Sequence, residues 1–240
     1  MTALSVAVIV SLAAWAEAVV MPDLELRRSE LRTPRAAAVA GIVFSLLLLA
    51  SLVLLRVTVP ANPQDAGVWL TRGAGRARLA LQLLPFAGIA FLWFIGVLRD
   101  RLGPREDKFF ATVFFGRGLL FLAMMFASVA VAGGVLRLYE GNPALAIESG
   151  LYAFGRTVSD EITNVYTMKM AGVFMFSTST MSLRTGITPR WMAQLGLALA
   201  LFLLFSLGLI SWAPLVFPLW VLLVSVHILL ANLGRGRETG

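Results

Sequence analysis

The sequence predicts an all-α protein, a polytopic bundle of transmembrane helices, and three observations lead to this prediction. Hydrophobic residues make up 59% of the 240-residue chain, and charged residues make up only 14%. Soluble domains are about 45–50% apolar and about 25% charged. In addition, six segments are long and apolar enough to cross a bilayer core about 30 Å thick, which takes about 20 helical residues.

The six predicted spans follow one another along the chain. They lie at 36–58, 78–98, 109–136, 160–183, 190–210 and 214–233. Because lipid offers no hydrogen-bonding partner, every backbone N–H and C=O within a span must be bonded inside the chain. We therefore expect each span to be a helix, and we treat 36–233 as one transmembrane helix bundle followed by a cytoplasmic tail at 234–240.

Proline positions mark several helix starts. Three dipeptides place a capping side chain directly before a proline that can occupy the first helical position. They are Thr33-Pro34, Asn142-Pro143 and Thr188-Pro189. Pro214 is expected to begin the sixth span in a similar way. Pro85 and Pro218 lie inside predicted spans, where each frees one carbonyl and is expected to bend the helix.

Two connections between the spans carry further signals. Residues 59–77 are rich in proline and glycine, which indicates a loop. Residues 143–157 are apolar but too mixed in composition to cross a membrane. This segment is either a short helix in the membrane interface, with Tyr152 and Phe154 facing lipid, or the first part of the fourth helix.

The N-terminal region permits three interpretations. Residues 3–20 are apolar but contain Glu17, and the basic leading region of a signal peptide is missing. Residues 1–20 are therefore an extension ahead of a translation start at Met21, a seventh span, or a signal peptide. Residues 21–35 are predicted to form a charged cytoplasmic leader.

The distribution of basic charge predicts the orientation. The chain carries 20 Lys and Arg against 13 Asp and Glu, a net charge of +7. Twelve of the 20 lie on the side of the leader and the C-terminus, and six lie on the opposite side. Since cytoplasmic loops carry the excess of Lys and Arg, we expect a plasma membrane protein whose C-terminus is cytoplasmic.

No basic stripe is interleaved with aromatic residues, so nucleic acid is not an expected partner.

The residue types exclude several kinds of catalytic and metal site. The chain has no cysteine and a single histidine, His227. Disulfides, thiolate ligands, zinc sites built from His and Cys, and haem held by several histidines are therefore excluded. No nucleophile elbow, phosphate-binding loop or metalloprotease motif occurs in the sequence. We expect a protein that is not an enzyme, and we assign no cofactor or metal site.

Six polar or ionisable residues within the spans are the candidate functional residues, because such groups are costly in a bilayer and often mark function. They are Arg117, Asp160, Glu161, Asn164, Lys169 and His227. We expect His227 to hydrogen-bond to a neighbouring helix. Arg117 either serves a function or extends its long side chain toward the headgroups. Lys169, near the middle of the fourth span, is expected to face protein or water rather than lipid.

A stripe of small and polar residues follows one face of the fourth span. It consists of Asp160, Asn164, Thr167, Ala171 and Thr178. Such residues on one helix face are typical of helix packing. The stripe is also suited to a pathway for a solute or a proton, and both interpretations stay open.

The first span carries a face of small residues, Ala37, Gly41 and Ser45. Small residues four positions apart allow two helix backbones to approach closely. We therefore expect this face to pack against another helix.

Two stretches carry a resemblance to a known kind of protein. They are FLWFIGVLRDRLGPREDKFFATVFF at 91–115 and TNVYTMKMAGVFMFSTSTMSLRTGITPRW at 163–191. Over residues 21–233 the chain resembles bacterial six-span integral membrane proteins of unknown function. The resemblance implies a bacterial plasma membrane and favours a start at Met21. It implies no mechanism, so no functional residue is assigned from it.

Two functions are compatible with these features. The first is a non-enzymatic membrane component or subunit, which contacts the lipid bilayer and associates with a second copy or with another membrane protein. The second is a small-solute, ion or proton transporter or channel that uses the polar residues of the 160–183 helix.

Overall fold

The regular structure of the described residues is entirely helical. The computed structural model describes residues 36–60, 70–102, 108–186, 188–206, 210 and 212–235. All regular elements among these residues are helices, which confirms the all-α prediction. The predicted extension, the predicted leader and the Thr33-Pro34 helix start lie outside the described residues.

Among the described residues, eight α-helices follow one another, together with one π-helical segment and one 3₁₀ turn. They are α1 (Ala36–Thr58), α2 (Leu70–Leu102), α3 (Lys108–Gly141), α4 (Pro143–Glu148), α5 (Leu151–Glu161), the π segment (Ile162–Thr167), α6 (Met168–Thr185), α7 (Arg190–Phe205), the 3₁₀ turn (Ala213–Leu215) and α8 (Val216–Arg235). Since α5, the π segment and α6 follow without a break, residues 151–185 form one continuous helical stretch.

Four stretches of helix within the described residues are long and apolar enough to cross a membrane. They are Ala36–Thr58, Gly73–Leu98, Thr112–Gly141 and Ala213–Ala231. These stretches correspond to the first, second, third and sixth predicted spans, and they indicate a membrane protein. The predicted span 160–183 instead crosses α5, the π segment and α6. The predicted span 190–210 coincides with α7, which ends at Phe205 after 16 residues.

One of the two predicted helix starts in the described part is confirmed, and the other is wrong. Asn142 caps α4: its side-chain oxygen accepts a hydrogen bond from a backbone N–H three residues on, at 3.0 Å, and Pro143 follows in the first turn. α7, by contrast, begins at Arg190, with Pro189 at the capping position and no side-chain cap. The helix therefore starts one residue too late for Thr188 to reach its free amides.

Pro85 lies in a helix interior as the sequence predicts, whereas Pro214 and Pro218 lie near a helix start, and Pro214 has no capping side chain before it. Pro85 is in the interior of α2, and Pro214 is in the 3₁₀ turn that leads directly into α8. Pro218 is the third residue of α8. In that first turn a helix can do without one backbone donor, so Pro218 is tolerated more easily there than in a helix interior.

The segment 143–157 combines the two expected structures. α4 is a short separate helix, and Gly150 follows it in a left-handed conformation with φ of 72°. From residue 151 onward the chain is the first part of the long helical stretch. Phe154 is 69% exposed, as expected for a lipid-facing side chain, but the same expectation for Tyr152 is wrong. Tyr152 is 4% exposed, because its ring packs against Tyr139 of α3, with ring centroids 6.0 Å apart.

The core of the bundle is a cluster of phenylalanine rings from five helices. The phenylalanine cluster consists of Phe44 of α1, Phe91 of α2, Phe121 of α3, Phe174 of α6 and Phe217 of α8. Each ring is 1% exposed or less. The paired rings have centroids between 4.7 and 6.3 Å apart and meet in tilted or edge-to-face arrangements. These geometries are favourable beyond the area that they bury, so the cluster holds the five helices together.

The small-residue face of α1 packs as expected. Ala37 is 2% exposed, Ser45 is fully buried, and Gly41 lies between them in close contact with α2 and α8. A Cβ atom at Gly41 would lie 2.1 Å from Ser225 Oγ and 2.8 Å from Phe94 Cδ2. Gly41 is therefore needed for the close approach of these helices.

We predict that Gly41→Ala lowers the free energy of unfolding by about 1–3 kcal/mol, the usual cost of overpacking a close contact. Gly96→Ala in α2 is the matched control, because a Cβ there meets nothing within 4 Å. The control should leave stability unchanged or raise it by up to about 1 kcal/mol through helix propensity. Thermal unfolding of the detergent-solubilised variants measures both effects. Equal unfolding temperatures for the two variants would contradict the packing argument.

Candidate functional site

A cavity of about 500 Å³ lies at one end of the bundle. Its position follows from the direction of the chain, since α1 and α3 end there and α2, α5 and α8 begin there. The lining residues near these helix ends include Arg56, Ala77, Leu136, Tyr152 and Trp212. The volume falls within the range of roughly 300–1,000 Å³ that is typical of sites for small molecules.

The deep part of the cavity is apolar. Its walls include Leu48, Leu84 and Met125, which are all buried. Phe121 and Phe217 also line it and belong to the phenylalanine cluster. The cluster therefore forms the floor of the cavity, between the cavity and the opposite half of the bundle.

One wall of the cavity is polar, and it comes from α5, the π segment and the first residue of α6. The side chains on this wall recur at intervals of three or four residues, which places them on one helix face. They are Tyr152, Arg156, Ser159, Asp160, Thr163, Asn164, Thr167 and Met168. Met168 is the one apolar member, and it lies at the deep end of the wall.

The π segment forms the middle of this polar wall. Thr167 Oγ1 donates a hydrogen bond of 2.9 Å to the carbonyl oxygen of Ile162, five residues back. The backbone of a π-helix makes hydrogen bonds with the same five-residue spacing. Single-turn π segments occur frequently at functional sites, and this one lies where the helix faces the cavity.

Three hydroxyl groups hold the polar wall against α3. Ser128 Oγ lies 2.9 Å from Ser159 Oγ and 2.6 Å from Thr163 Oγ1, and it donates to the Ser159 carbonyl at 3.0 Å. Ser159 Oγ in turn donates to the Ser128 carbonyl at 3.1 Å. We call these three residues the hydroxyl cluster. The three hydroxyl groups provide hydrogen-bond partners for one another. The cluster therefore holds α5 and the π segment on α3 without leaving these buried polar groups unpaired.

Two arginines flank the mouth of the cavity. Arg156 is half-buried and donates to the carbonyl oxygen of Pro60 and, at 3.5 Å, to the hydroxyl of Tyr152. Its buried Nε has no hydrogen-bond partner among the described residues. Arg56 lies over the ring of Trp212, with its guanidinium carbon 5.6 Å from the ring centroid, which is a cation–π contact.

Asp160 completes the charged mouth. It follows Arg156 by one helical turn, and the charges of Arg156 and Arg56 both act on its carboxylate. The ion pair found within the described part of the chain joins Arg78 to Glu140, so Asp160 makes no direct pair there. The mouth thus contains two guanidinium groups and one carboxylate that are close but not paired.

The structure brings together some of the predicted candidate residues at this cavity. Asp160 and Asn164 line it, together with Thr167 of the same stripe. Glu161 is adjacent in sequence, but it is exposed and does not line the cavity. Thr178 of the stripe is buried far along α6 and donates to its own helix, at the Phe174 carbonyl.

The remaining candidates lie elsewhere in the bundle. Arg117 of α3 donates a hydrogen bond to Ser177 Oγ of α6, so it links two helices. His227 is half-buried in α8. Lys169 is also half-buried, and its ammonium group makes no hydrogen bond or ion pair with a residue in the described ranges. None of these three residues lines the cavity.

Sequence reasoning did not single out several residues of the cavity. In the sequence, Arg56 and Arg156 contribute only to the count of basic residues on one side of the membrane, and Ser128 is an isolated serine in an apolar segment. A usable signal existed on α5, where Tyr152, Arg156 and Asp160 recur every four residues. The contacts with α1 and α3 join residues far apart in the chain, and no local pattern indicates them.

No family model, no curated protein and no solved structure matches this chain. Among the described residues, no three His, Asp or Glu side chains lie close enough to hold a metal ion. The groups that the cavity offers to a ligand are the guanidinium, carboxylate, amide and hydroxyl groups at its mouth and the apolar side chains below.

We predict that Ser128→Ala lowers the free energy of unfolding by about 1–3 kcal/mol, because it leaves the hydroxyls of Ser159 and Thr163 with fewer partners in a buried position. Ser45→Ala is the matched control, since Ser45 is equally buried but bonds only to the Gly41 carbonyl of its own helix. Chemical or thermal unfolding in detergent gives both values. If the two variants lose the same stability, the hydroxyl cluster does not hold α3 to α5.

Proposed function

We propose that the chain is a six-span protein of the plasma membrane with its C-terminus in the cytoplasm. Four spans correspond to the long apolar helices. The continuous helical stretch 151–185 supplies the fourth span, and α7 supplies the fifth. α7 alone reaches about 24 Å at 1.5 Å per residue, so it needs its flanking residues to cross a core of about 30 Å.

With six spans and an excess of basic residues on the cytoplasmic side, the mouth of the cavity faces the exterior. A reporter enzyme fused after Gly240 should therefore be active in the cytoplasm, and one inserted within 61–69 should be active outside. Activity in the reverse compartments would overturn the orientation. Reporters on the same side of the membrane would overturn the number of spans.

We further propose that the protein is a non-enzymatic membrane component whose function is to bind a small amphiphilic molecule. A single observation carries this proposal: the cavity combines apolar walls with a charged and hydroxyl-lined mouth. Sites for small molecules are mostly apolar and carry a few well-placed polar groups. An amphiphile would place its hydrocarbon part between Leu48, Leu84 and Met125 and its polar part near Asp160 and Arg156.

Photolabelling tests the binding proposal. The full chain is placed in nanodiscs and exposed to dodecyl probes that carry a diazirine and an anionic, a neutral or a cationic headgroup. At least one probe should label residues of α3 and α5 that line the cavity. Ala132→Phe, which fills the cavity from α3, should remove this labelling, whereas Ala130→Phe on the exposed side of the same helix should not.

If every probe labels Ala132→Phe as strongly as it labels the unaltered chain, binding in the cavity is contradicted. Labelling that is confined to lipid-facing residues would contradict it as well. Thermal unfolding of both variants controls for loss of the fold.

A transporter is the second candidate function, because Asp160 and Asn164 both line the cavity. The phenylalanine cluster argues against a passage through the bundle, since its rings close the floor with an exposure of 1% or less. We therefore expect no proton or ion flux from proteoliposomes that contain the protein alone. Flux that disappears in Asp160→Asn while folded protein persists would favour the transporter instead.

A membrane component also needs contacts around its circumference. α2 exposes large apolar side chains at intervals of seven residues, Leu79, Phe86 and Trp93. We propose that this face contacts the lipid bilayer, or associates with a second copy or with another membrane protein. The spacing of seven residues places the three side chains on one side of the helix.

A further inference from the structure

The charges at the mouth of the cavity indicate which class of amphiphile it takes. We propose that the cavity binds a single-chain amphiphile with a monoanionic headgroup, a carboxylate or a phosphodiester. Arg56 and Arg156 contact the headgroup, and the hydrocarbon chain lies against the apolar walls. This inference rests on the proposed function, which gives the cavity an amphiphilic ligand.

The balance of charge favours an anion. Two guanidinium groups and the carboxylate of Asp160 line the mouth, which carries one net positive charge when all three are ionised, and among the described residues Asp160 is paired directly with neither arginine. Arg56 and Asp160 are exposed and Arg156 is half-buried, so this charge is accessible to a ligand. A monoanion would neutralise the mouth, whereas a cationic headgroup would double its net charge.

The available donors also favour an oxyanion. The Arg156 Nε is buried without a partner among the described residues, and an anion at the mouth is a suitable acceptor for it. Arg56 lies over the ring of Trp212. This cation–π contact uses no N–H group as a hydrogen-bond donor to a protein acceptor, so the guanidinium can donate to a ligand. Carboxylates and phosphates fit such planar donor groups better than other acceptors do.

The size of the cavity favours one hydrocarbon chain. About 500 Å³ is the volume of a site for one small molecule. The polar wall occupies one side only, so the apolar side chains of α1, α2 and α3 remain to cover a chain. The charged mouth is at the helix ends, where a headgroup would lie at the membrane surface.

The test measures competition for photolabelling of the cavity in phosphatidylcholine nanodiscs. Dodecanoate and lysophosphatidylglycerol represent the two sources of a monoanionic headgroup. Dodecanol is the neutral competitor, and dodecyltrimethylammonium is the cationic one. At least one anion should compete at about ten-fold lower concentration than the neutral and cationic compounds. The stronger of the two anions identifies the headgroup as a carboxylate or as a phosphodiester.

Two variants should change competition by the anion in opposite directions, and a third is their control. Arg56→Gln should weaken competition by the anion about ten-fold and change competition by dodecanol less than about two-fold. Asp160→Asn should strengthen competition by the anion about three-fold or more, because it removes a like charge next to the headgroup. Arg76→Gln is the control, since Arg76 is an exposed arginine of α2 outside the lining, and it should change nothing.

The outcomes separate this inference from the proposed function. Equal or better competition by the neutral or cationic compound overturns the inference, and so does weaker competition by the anion in Asp160→Asn. Both results leave amphiphile binding intact. If no probe labels the cavity, the inference and the proposed function fail together. Arg156→Lys keeps the charge but removes the planar donor group and its Nε, so it should weaken competition by the anion while leaving competition by dodecanol unchanged. Unchanged competition by the anion would overturn the role of Arg156, and thermal unfolding controls for loss of the fold.

Discussion

The packing of phenylalanine rings at the centre of the bundle is the interaction on which the other features depend. Helices inside a bilayer gain little from burying apolar surface, because lipid is as apolar as their side chains, so they associate through close contact. Phe44, Phe91, Phe121, Phe174 and Phe217 supply that contact across five helices. The same rings set the depth of the cavity, since two of them form its floor. Stability and the closed end of the site thus come from one group of side chains.

Hydroxyl groups serve two different purposes in this bundle. Ser45, Ser51 and Thr178 each donate to the carbonyl four residues back in the same helix, so they are satisfied locally and behave as small packing residues. Ser128 and Ser159 instead bond across two helices. The stripe on the fourth predicted span therefore has two halves. Its first half lies on the cavity, and its second half is packed.

The sequence was sufficient for features that depend on neighbours in the chain. Length and hydropathy located the apolar helices, Asn142-Pro143 located a helix start, and Gly41 indicated close packing. The burial of Tyr152 could not be predicted, because it depends on a ring of α3 that lies near it only in the folded chain. The position of Arg56 and Arg156 at one mouth could not be predicted either, because it requires the C-terminal end of α1 to lie beside α5 in the folded chain.

The π segment is the least predictable element, since nothing in its composition distinguishes it from an α-helix, and it joins the two halves of the long helical stretch. An α-helix turns by about 100° per residue, so the extra residue of a π turn rotates α5 relative to α6 by about that angle. Phe174 of α6 lies in the phenylalanine cluster, while Ser159 of α5 meets Ser128. Both contacts are made by one continuous helical stretch, whose hydrogen-bond spacing changes between them. The π segment, in which the Thr167 hydroxyl donates to the Ile162 carbonyl, therefore lies between the residue that packs on α3 and the residue that packs in the core.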